Sequence, residues 1–345
     1  MTGRRPVLGP TVTLAHGGGG RAMHDLIDEV FVRRFGSSRG REDQARIPFA
    51  ELQSLGDRLA FTTDSYVVDP LFFPGGDIGS LAVNGTINDL AMGGAVPIAL
   101  SCAVIAEEGL PIDVLERVAE SMQRAAKAAG VTIVTGDTKV VNRGAGYKLF
   151  IYTSGIGMIP AGVDIRADRA CAGDAVLVSG FLGDHGATIL NARGDLALDA
   201  AIESDTQPLH GLVQAMLGVC PDIHCMRDAT RGGLATVVNE FAKASGVGIV
   251  LDEEFMPIRE AVRGVCAILG LDPLYFANEG KLVATLPKEC AEKVLATMRA
   301  HPAGIDSAII GTIGAGPSGC VALRTRFGGE RILDTLIGEQ LPRIC

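Results

Sequence analysis

Tryptophan is absent from this chain of 345 residues and aromatic side chains make up only 5% of it. Its core must therefore be built from Ala, Val, Leu and Ile. No apolar run reaches the roughly 18 residues that a membrane-spanning helix requires. Arg4 and Arg5, near the start, precede no apolar segment of the kind that makes a secretory signal. Basic blocks are missing too: with 31 basic against 40 acidic side chains and a net charge of −9, the chain is a poor electrostatic match for nucleic acid. The 8 cysteines form no CxxC pair and are too sparse for a disulfide framework. Cys220 and Cys225, with His224 between them, lack a second ligand pair, so no metal is expected there. Cys102 and Cys266 lie in the apolar stretches ALSCAVI and VRGVCAIL and are expected to be buried as small hydrophobes. These absences point to a cytoplasmic protein with neither a membrane nor a nucleic acid as partner.

What is present is globular: 47% hydrophobic and 21% charged residues. The length favours two domains. The 45 glycines cluster without a period, which suits backbone-lined sites and tight turns. Residues 1–46 hold a glycine-rich segment, His16-Gly17-Gly18-Gly19-Gly20, an amphipathic helix from Met23 to Phe35 and a polar, Arg-rich connector. An α+β domain is expected over 47–160. It reads as a strand Arg58–Thr63 ending on Asp64, a helix Ile78–Met92, a strand Ile98–Ile105, a helix capped by Asp113, a short strand Val131–Val134 and a strand Leu149–Ile159. A second α+β domain is expected over 170–330. Its helices are placed at Thr206–Leu217, Leu234–Ser245, Ile258–Leu269 and Lys288–Arg299, after a shorter one running to Asn191. Its strands are placed at Ala175–Ser179, Gly248–Leu251, Leu282–Leu286, Ala308–Ile313 and Cys320–Leu323. Residues 331–345 have the composition of a flexible tail.

Acidic residues recur beside glycines at the ends of these elements. Asp64 follows a strand, Asp77 opens a helix, Asn88 and Asp89 lie near that helix's end, Asp137 follows a strand and Asp228 occupies a loop. One such residue is ordinary turn chemistry. Several converging on one cleft suit Mg²⁺, which takes hard oxygens together with phosphate oxygens. His16–Gly20 precedes a helix and can wrap an anion, although no Gly-Lys-Ser/Thr follows to make a P-loop. Arg227 and Arg231 flank Asp228, and Arg231-Gly232-Gly233 opens a helix, which together suit a phosphate clamp or, more plainly, a surface salt-bridge cluster. Lys139 can steady a transferring phosphoryl group. Glu279, in FANEGKL, is placed for a general base or is simply a solvated turn residue. His185 and His210 are expected to be structural. The terminal Cys345, after Pro342 and Arg343, has nothing beyond it to pack against, and is either an incidental thiol or the end of a swinging arm.

Taken together, HGGGG, TTDSYVVDPLFFPGGDIGSLAVNGTINDLAMGGA, TGDTKVV, RDATRGG, NEG and the terminal PRIC resemble the hydrogenase-maturation carbamoyl dehydratase family, HypE. That family shares a superfamily with aminoimidazole ribonucleotide synthetase and selenophosphate synthetase. The resemblance runs over nearly the whole chain, and the PRIC tail is its most discriminating part. It implies a two-domain, PurM-like α+β fold whose N-terminal sheets pair across a homodimer. It implies that a partner carbamoyltransferase loads Cys345, that ATP drives dehydration of the carbamoyl group to a thiocyanate, and that an iron-binding hydrogenase maturation complex accepts the cyanide. It further implies Mg²⁺ at Asp64, Asp89, Asp137 and Asp228. Nucleotide contacts would come from His16–Gly20, Asn88, Thr138, Arg227, Thr230, Arg231 and Gly232. Glu279 would be the base, with Lys139 steadying developing charge. Two other readings stay open on residues alone: a sister enzyme that phosphorylates a free small molecule, and a nucleotide-sensing scaffold. A selenophosphate synthetase would want a reactive Cys in the N-terminal glycine-rich segment, where none lies.

Overall fold

The computed structural model describes residues 8–36, 42, 44–194, 201–314 and 316–336. Pro342, Arg343 and Cys345 lie outside them. In the first half, β1 (Arg58–Tyr66), α1 (Ile78–Met92), β2 (Val96–Glu107), α2 (Ile112–Ala128), β3 (Thr132–Val141) and β4 (Leu149–Ile159) build a four-stranded sheet in the order β1-β4-β2-β3. β4 runs antiparallel to both its neighbours, and β2 and β3 are parallel. Both edges, β1 and β3, lack a further strand among the described residues.

α2 shows the periodicity read from the sequence, with Leu115, Val118 and Met122 buried on one face. Its N-cap is Pro111 rather than Asp113, which stands in the first turn, where the helix dipole favours a carboxylate. α1 is different: apolar or small residues surround it and nearly all of them are buried. It packs on the sheet on one side and meets the second half of the chain on the other. Asp77 caps it, Oδ1 accepting from the Gly79 and Ser80 amides at 2.7 and 3.1 Å, while Ser80 Oγ returns a contact to the Asp77 amide.

The second half contains β5 (Ala175–Val178), α3 (Asp184–Ala192), α4 (His210–Val219), β6 (Cys225–Asp228), α5 (Gly233–Ser245), β7 (Ile249–Asp252), α6 (Glu260–Leu269), β8 (Leu282–Leu286), α7 (Lys288–Ala300), β9 (Ala308–Ile313), β10 (Val321–Arg324) and β11 (Glu330–Ile332). Seven strands pair in the order β11-β10-β7-β9-β5-β8-β6. Two apolar clusters, around Phe241 and around Met216, cover this sheet.

Several sequence expectations need correction. β1 and β3 run further than Thr63 and Val134, so Asp64 and Asp137 stand inside strands rather than after them. Asp228 ends β6, a strand hidden in the sequence by its four-residue length, and is not in a loop. The first helical segment, Arg21 to Phe35, contains a π-helical stretch at Ile27–Val32. Cys102 and Cys266 are buried as expected.

Candidate active site

Asp64 pairs in register with Thr153, and strand alternation turns it, like Thr62, toward α1. Thr62 Oγ1 donates to Asp89 Oδ2 at 2.9 Å, tying the last turn of α1 to β1. Asp228 arrives from the second sheet, since α1 also packs against β6. Burial pushes the Asp228 carboxyl up to about 7, with the charges of Asp89 and Asp64 adding to the effect and Arg227 opposing it. Asp89 is raised as well, first by burial and then, against the Thr62 hydrogen bond, by Asp64. Three carboxylates from three elements therefore repel one another, and a divalent cation would relieve that repulsion. The donor set is all hard oxygen, and its atoms do not draw together within 4.8 Å. That openness fits Mg²⁺ held by one or two carboxylates plus phosphate and water oxygens.

Glu279 is buried, so the solvated-turn reading of it fails. Its turn is held from every side. Asn278 Oδ1 accepts from the Gly183 amide at 2.7 Å, and its Nδ2 donates to the Ala229 and Phe276 carbonyls. The Glu279 amide donates to Asp205 Oδ1 at 3.0 Å, and Lys281 lies 3.5 Å from the other Asp205 oxygen. Gly280 is required, because a methyl group there would collide with the Asp205 carbonyl oxygen. Tyr66, which sequence reasoning passed over, feels the charge of Glu279. Its buried phenol is held well above the usual range by burial and then by the charge of Asp64, with Glu279 and Asp89 contributing further. The charges of Glu279, Asp64 and Asp89 therefore all reach the same phenol. Nothing in TTDSY distinguishes Tyr66 from a strand-end aromatic.

Asn88 is committed to that seam. Its Nδ2 donates to the carbonyls of Gln207 and Glu279, at 3.0 and 3.3 Å, and its Oδ1 accepts from the Leu209 amide at 2.8 Å. These bonds fix the Glu279 turn to α1 and occupy both amide protons that a nucleotide contact would use.

Asp137, Thr138, Lys139 and the His16–Gly20 turn form a second group on the far edge of the first sheet. Asp64 aligns through Thr153 and Cys102 with Gly136, so Asp137 is level with it but three strands away, about 14 Å at ordinary strand spacing. Asp137 and Lys139 form an exposed ion pair at 3.2 Å, and Asp137 Oδ1 accepts from the Thr138 amide. The His16–Gly20 turn packs on this same strand closely enough that a Cβ at Gly17 would lie 3.0 Å from the Val140 amide, a tight contact. His16 is buried and braces the turn, with Nδ1 2.9 Å from the Thr13 amide, while Gly18–Gly20 are exposed.

Arg227 pairs with Glu240 at 3.0 Å, so the salt-bridge reading holds for it in this state. Thr230, Arg231 and Gly232 lead into α5, which starts five residues beyond Asp228 and whose first-turn amides carry no side-chain cap, an arrangement able to receive an anion. His185 is fully buried against Ser204 and its imidazole is pushed down to about 4 by burial, in keeping with a structural role.

Residues 42–159 match the N-terminal domain of AIR synthase related proteins, and residues 172–323 match the C-terminal domain of the same proteins. The carbamoyl dehydratase HypE of Rhodobacter capsulatus is 56% identical over 97% of this chain and 98% of its own length. A crystal structure of a hydrogenase maturation protein HypE in complex with ATP superposes with a TM-score of 0.90 at 51% identity, covering 96% of this chain and 99% of the other. The HypE of a HypE–HypF complex superposes at 0.79 with 45% identity, covering 90% and 99%.

Proposed function

Because the chain belongs to the carbamoyl dehydratase HypE family of AIR synthase related proteins, we propose that it is an ATP-dependent dehydratase acting on a carbamoyl group borne by its own Cys345. An amide oxygen is a poor leaving group. Transfer of the γ-phosphoryl group onto the carbamoyl oxygen turns it into phosphate. Loss of phosphate and of the nitrogen-bound protons then leaves an S-cyano group on Cys345. The net change is loss of one water, which is taken up in converting ATP to ADP and phosphate.

The observation that supports this reading is that Asp64, Asp89 and Asp228 act on one another's carboxyls while the Glu279 turn is hydrogen-bonded to Asn88, the neighbour of Asp89. Phosphoryl acceptor chemistry and proton removal need to happen within reach of each other. Asp64, Asp89 and Asp228 would hold Mg²⁺, which when bound neutralises charge on the transferring phosphoryl group. Glu279 would take the nitrogen-bound protons. The uncapped start of α5, with Thr230, Arg231 and Gly232, would receive phosphate oxygens, and Arg227 would join it by exchanging Glu240 for the nucleotide.

Asp137, Thr138, Lys139 and the Gly18–Gly20 turn stand on the opposite edge of the first sheet, so one chain alone does not bring all the expected site residues together. We therefore propose a homodimer in which the sheets of two copies close on each other. The face of the sheet turned away from α1 supports this: Leu59, Phe61 and Tyr152 are exposed on it at 59%, 69% and 41%. Asp137 and Lys139 project from that same face, so a second copy would set them against the first copy's β1. No helix among the described residues is long and apolar enough to cross a membrane, and the cytoplasm is the proposed place of action. A carbamoyltransferase is proposed to load Cys345, in keeping with the solved HypE–HypF complex. An iron-binding hydrogenase maturation complex is proposed to accept the cyanide.

Intact-mass analysis of the C-terminal peptide tests the reading, after incubation with a carbamoyltransferase, carbamoyl phosphate and ATP. A carbamoyl adduct on Cys345 that loses one water only with Mg²⁺ and ATP is expected. An unmodified tail beside continuing ATP hydrolysis would favour the sister enzyme that acts on a free small molecule.

A further inference from the structure

His224 is not grouped with Cys220 and Cys225 as a ligand set. The chain places it instead against Cys171 and Asp174, about 50 residues earlier. Asp174 immediately precedes β5 and His224 immediately precedes β6. Both strands run antiparallel to β8, which lies between them, so their starts share one end of the second sheet. The His224 amide donates to the Thr285 carbonyl of β8 at 3.0 Å, which fixes the imidazole there. One ligand atom from each of Cys171, Asp174 and His224 lies within 4.8 Å of the others. Asp174 and His224 are buried and Cys171 is exposed.

Asp174 Oδ2 is 2.8 Å from His224 Nδ1 and also accepts from the Cys171 amide at 2.8 Å, so the turn carrying the thiol is folded around this carboxylate. The other ring nitrogen, Nε2, faces Asp222 Oδ2 at 3.4 Å, and Asp222 is held in turn by Arg169 at 2.8 Å. The imidazole is thus set between two carboxylates, one facing each ring nitrogen.

We propose that Cys171, Asp174 and His224 form a binding site for a borderline-soft divalent metal ion of the Zn²⁺ class, separate from the Mg²⁺-type carboxylates of the seam. The sulfur–nitrogen–oxygen donor set selects such an ion over Mg²⁺ or Ca²⁺. The metal takes Nδ1, one Asp174 oxygen and the Cys171 sulfur. The thiol proton leaves to solvent, and the imidazole proton resides on Nε2, where Asp222 accepts it. That is the carboxylate–histidine–metal relay seen around protein-bound metals generally, and here its outer carboxylate and the arginine that orients it are already in place. Bonds near 2.0 Å at a tetrahedral angle set nitrogen and oxygen about 3.3 Å apart. The Nδ1–Oδ2 pair therefore opens by about half an ångström, a shift that the adjoining exposed residues 171–173 can absorb. With three protein ligands and Cys171 at the surface, the fourth position faces solvent, so the ion is exchangeable rather than locked in.

The test is cobalt loading of the full-length protein after chelator treatment, read by absorption. One equivalent of Co²⁺ should give tetrahedral d–d bands with a thiolate-to-cobalt charge-transfer band, both displaced by one equivalent of Zn²⁺. Cys171→Ser should abolish the charge-transfer band and weaken Zn²⁺ at least 100-fold. Cys320→Ser, at another exposed cysteine, should leave both unchanged, and so should Cys345→Ser. Asp222→Asn should weaken Zn²⁺ by about 10- to 100-fold while keeping the band. A band that survives Cys171→Ser, or no thiolate band in the parent protein, would overturn the site. Because Cys171 is a surface residue, its substitution tests ligation rather than folding. Neither result bears on dehydration at Cys345.

Discussion

Asp228 is raised to about 7, far above the roughly 3.9 of a free aspartate, by burial and by two neighbouring carboxylates. A carboxyl raised in this way favours the protonated folded state: the stability it contributes is present below about pH 4 and lost as pH rises through 7. A cation binding the cluster must displace that proton. Mg²⁺ affinity, measured by calorimetric titration without nucleotide, should therefore rise by about tenfold between pH 6 and pH 8. Asp228→Asn should flatten that dependence. Glu279 makes a different prediction. Glu279→Gln keeps the shape of the turn but removes the base, so single-turnover dehydration followed by peptide mass should slow by about 10²- to 10⁴-fold while ATP still binds. Unchanged dehydration would remove Glu279 from the chemistry.

At the scale of elements, α1 organises the site. Its first residue is fixed by the Asp77 cap, and its C-terminal end delivers Asp89 to the carboxylate cluster and Asn88 to the Glu279 turn. Asp77→Ala removes two amide acceptors at a buried helix start and should cost about 1 kcal/mol, read as a lowered denaturation midpoint, with Asp77→Asn recovering most of it. Asn88→Ala leaves the Leu209 amide without its acceptor and two carbonyls without their donor. It should destabilise by about 1–3 kcal/mol. Because it releases Glu279 and not the nucleotide, it should also lower the dehydration rate more than it raises the KM for ATP. A rise in KM alone would return Asn88 to the nucleotide contacts that the sequence suggests.

At the scale of the whole molecule, Asp64 and Asp137 stand on opposite edges of the first sheet, and the proposed closure by a second copy would unite them. Phe61→Arg puts a charge on the open face, away from the acidic cluster. By sedimentation it should convert a dimer to monomers, and dehydration should fall with the dimer fraction. A variant that stays dimeric and active would remove the sheet face from the interface. Monomers that retain full activity would show that Asp137 and Lys139 act without a second copy.

The sequence alone determined most element types, because their signals are local, but it hid the four-residue β6. Periodicity marked α2, β4 and β9 were placed as strands over Leu149–Ile159 and Ala308–Ile313, and an aspartate before an apolar run marked the start of α1. It also determined the family, since its motifs are contiguous strings of residues. It could not determine which of those residues meet. Asp64 and Asp228 are far apart in the chain and become neighbours only because α1 packs against both sheets. Asp64 and Asp137 read alike in sequence, yet strand order sends them to opposite edges. The buried state of Glu279, the clamp made by Asn88 and the approach of Cys171 to His224 were likewise decided by tertiary structure. Pairing between strands distant in sequence depends on which apolar faces bury each other, and no local pattern records that.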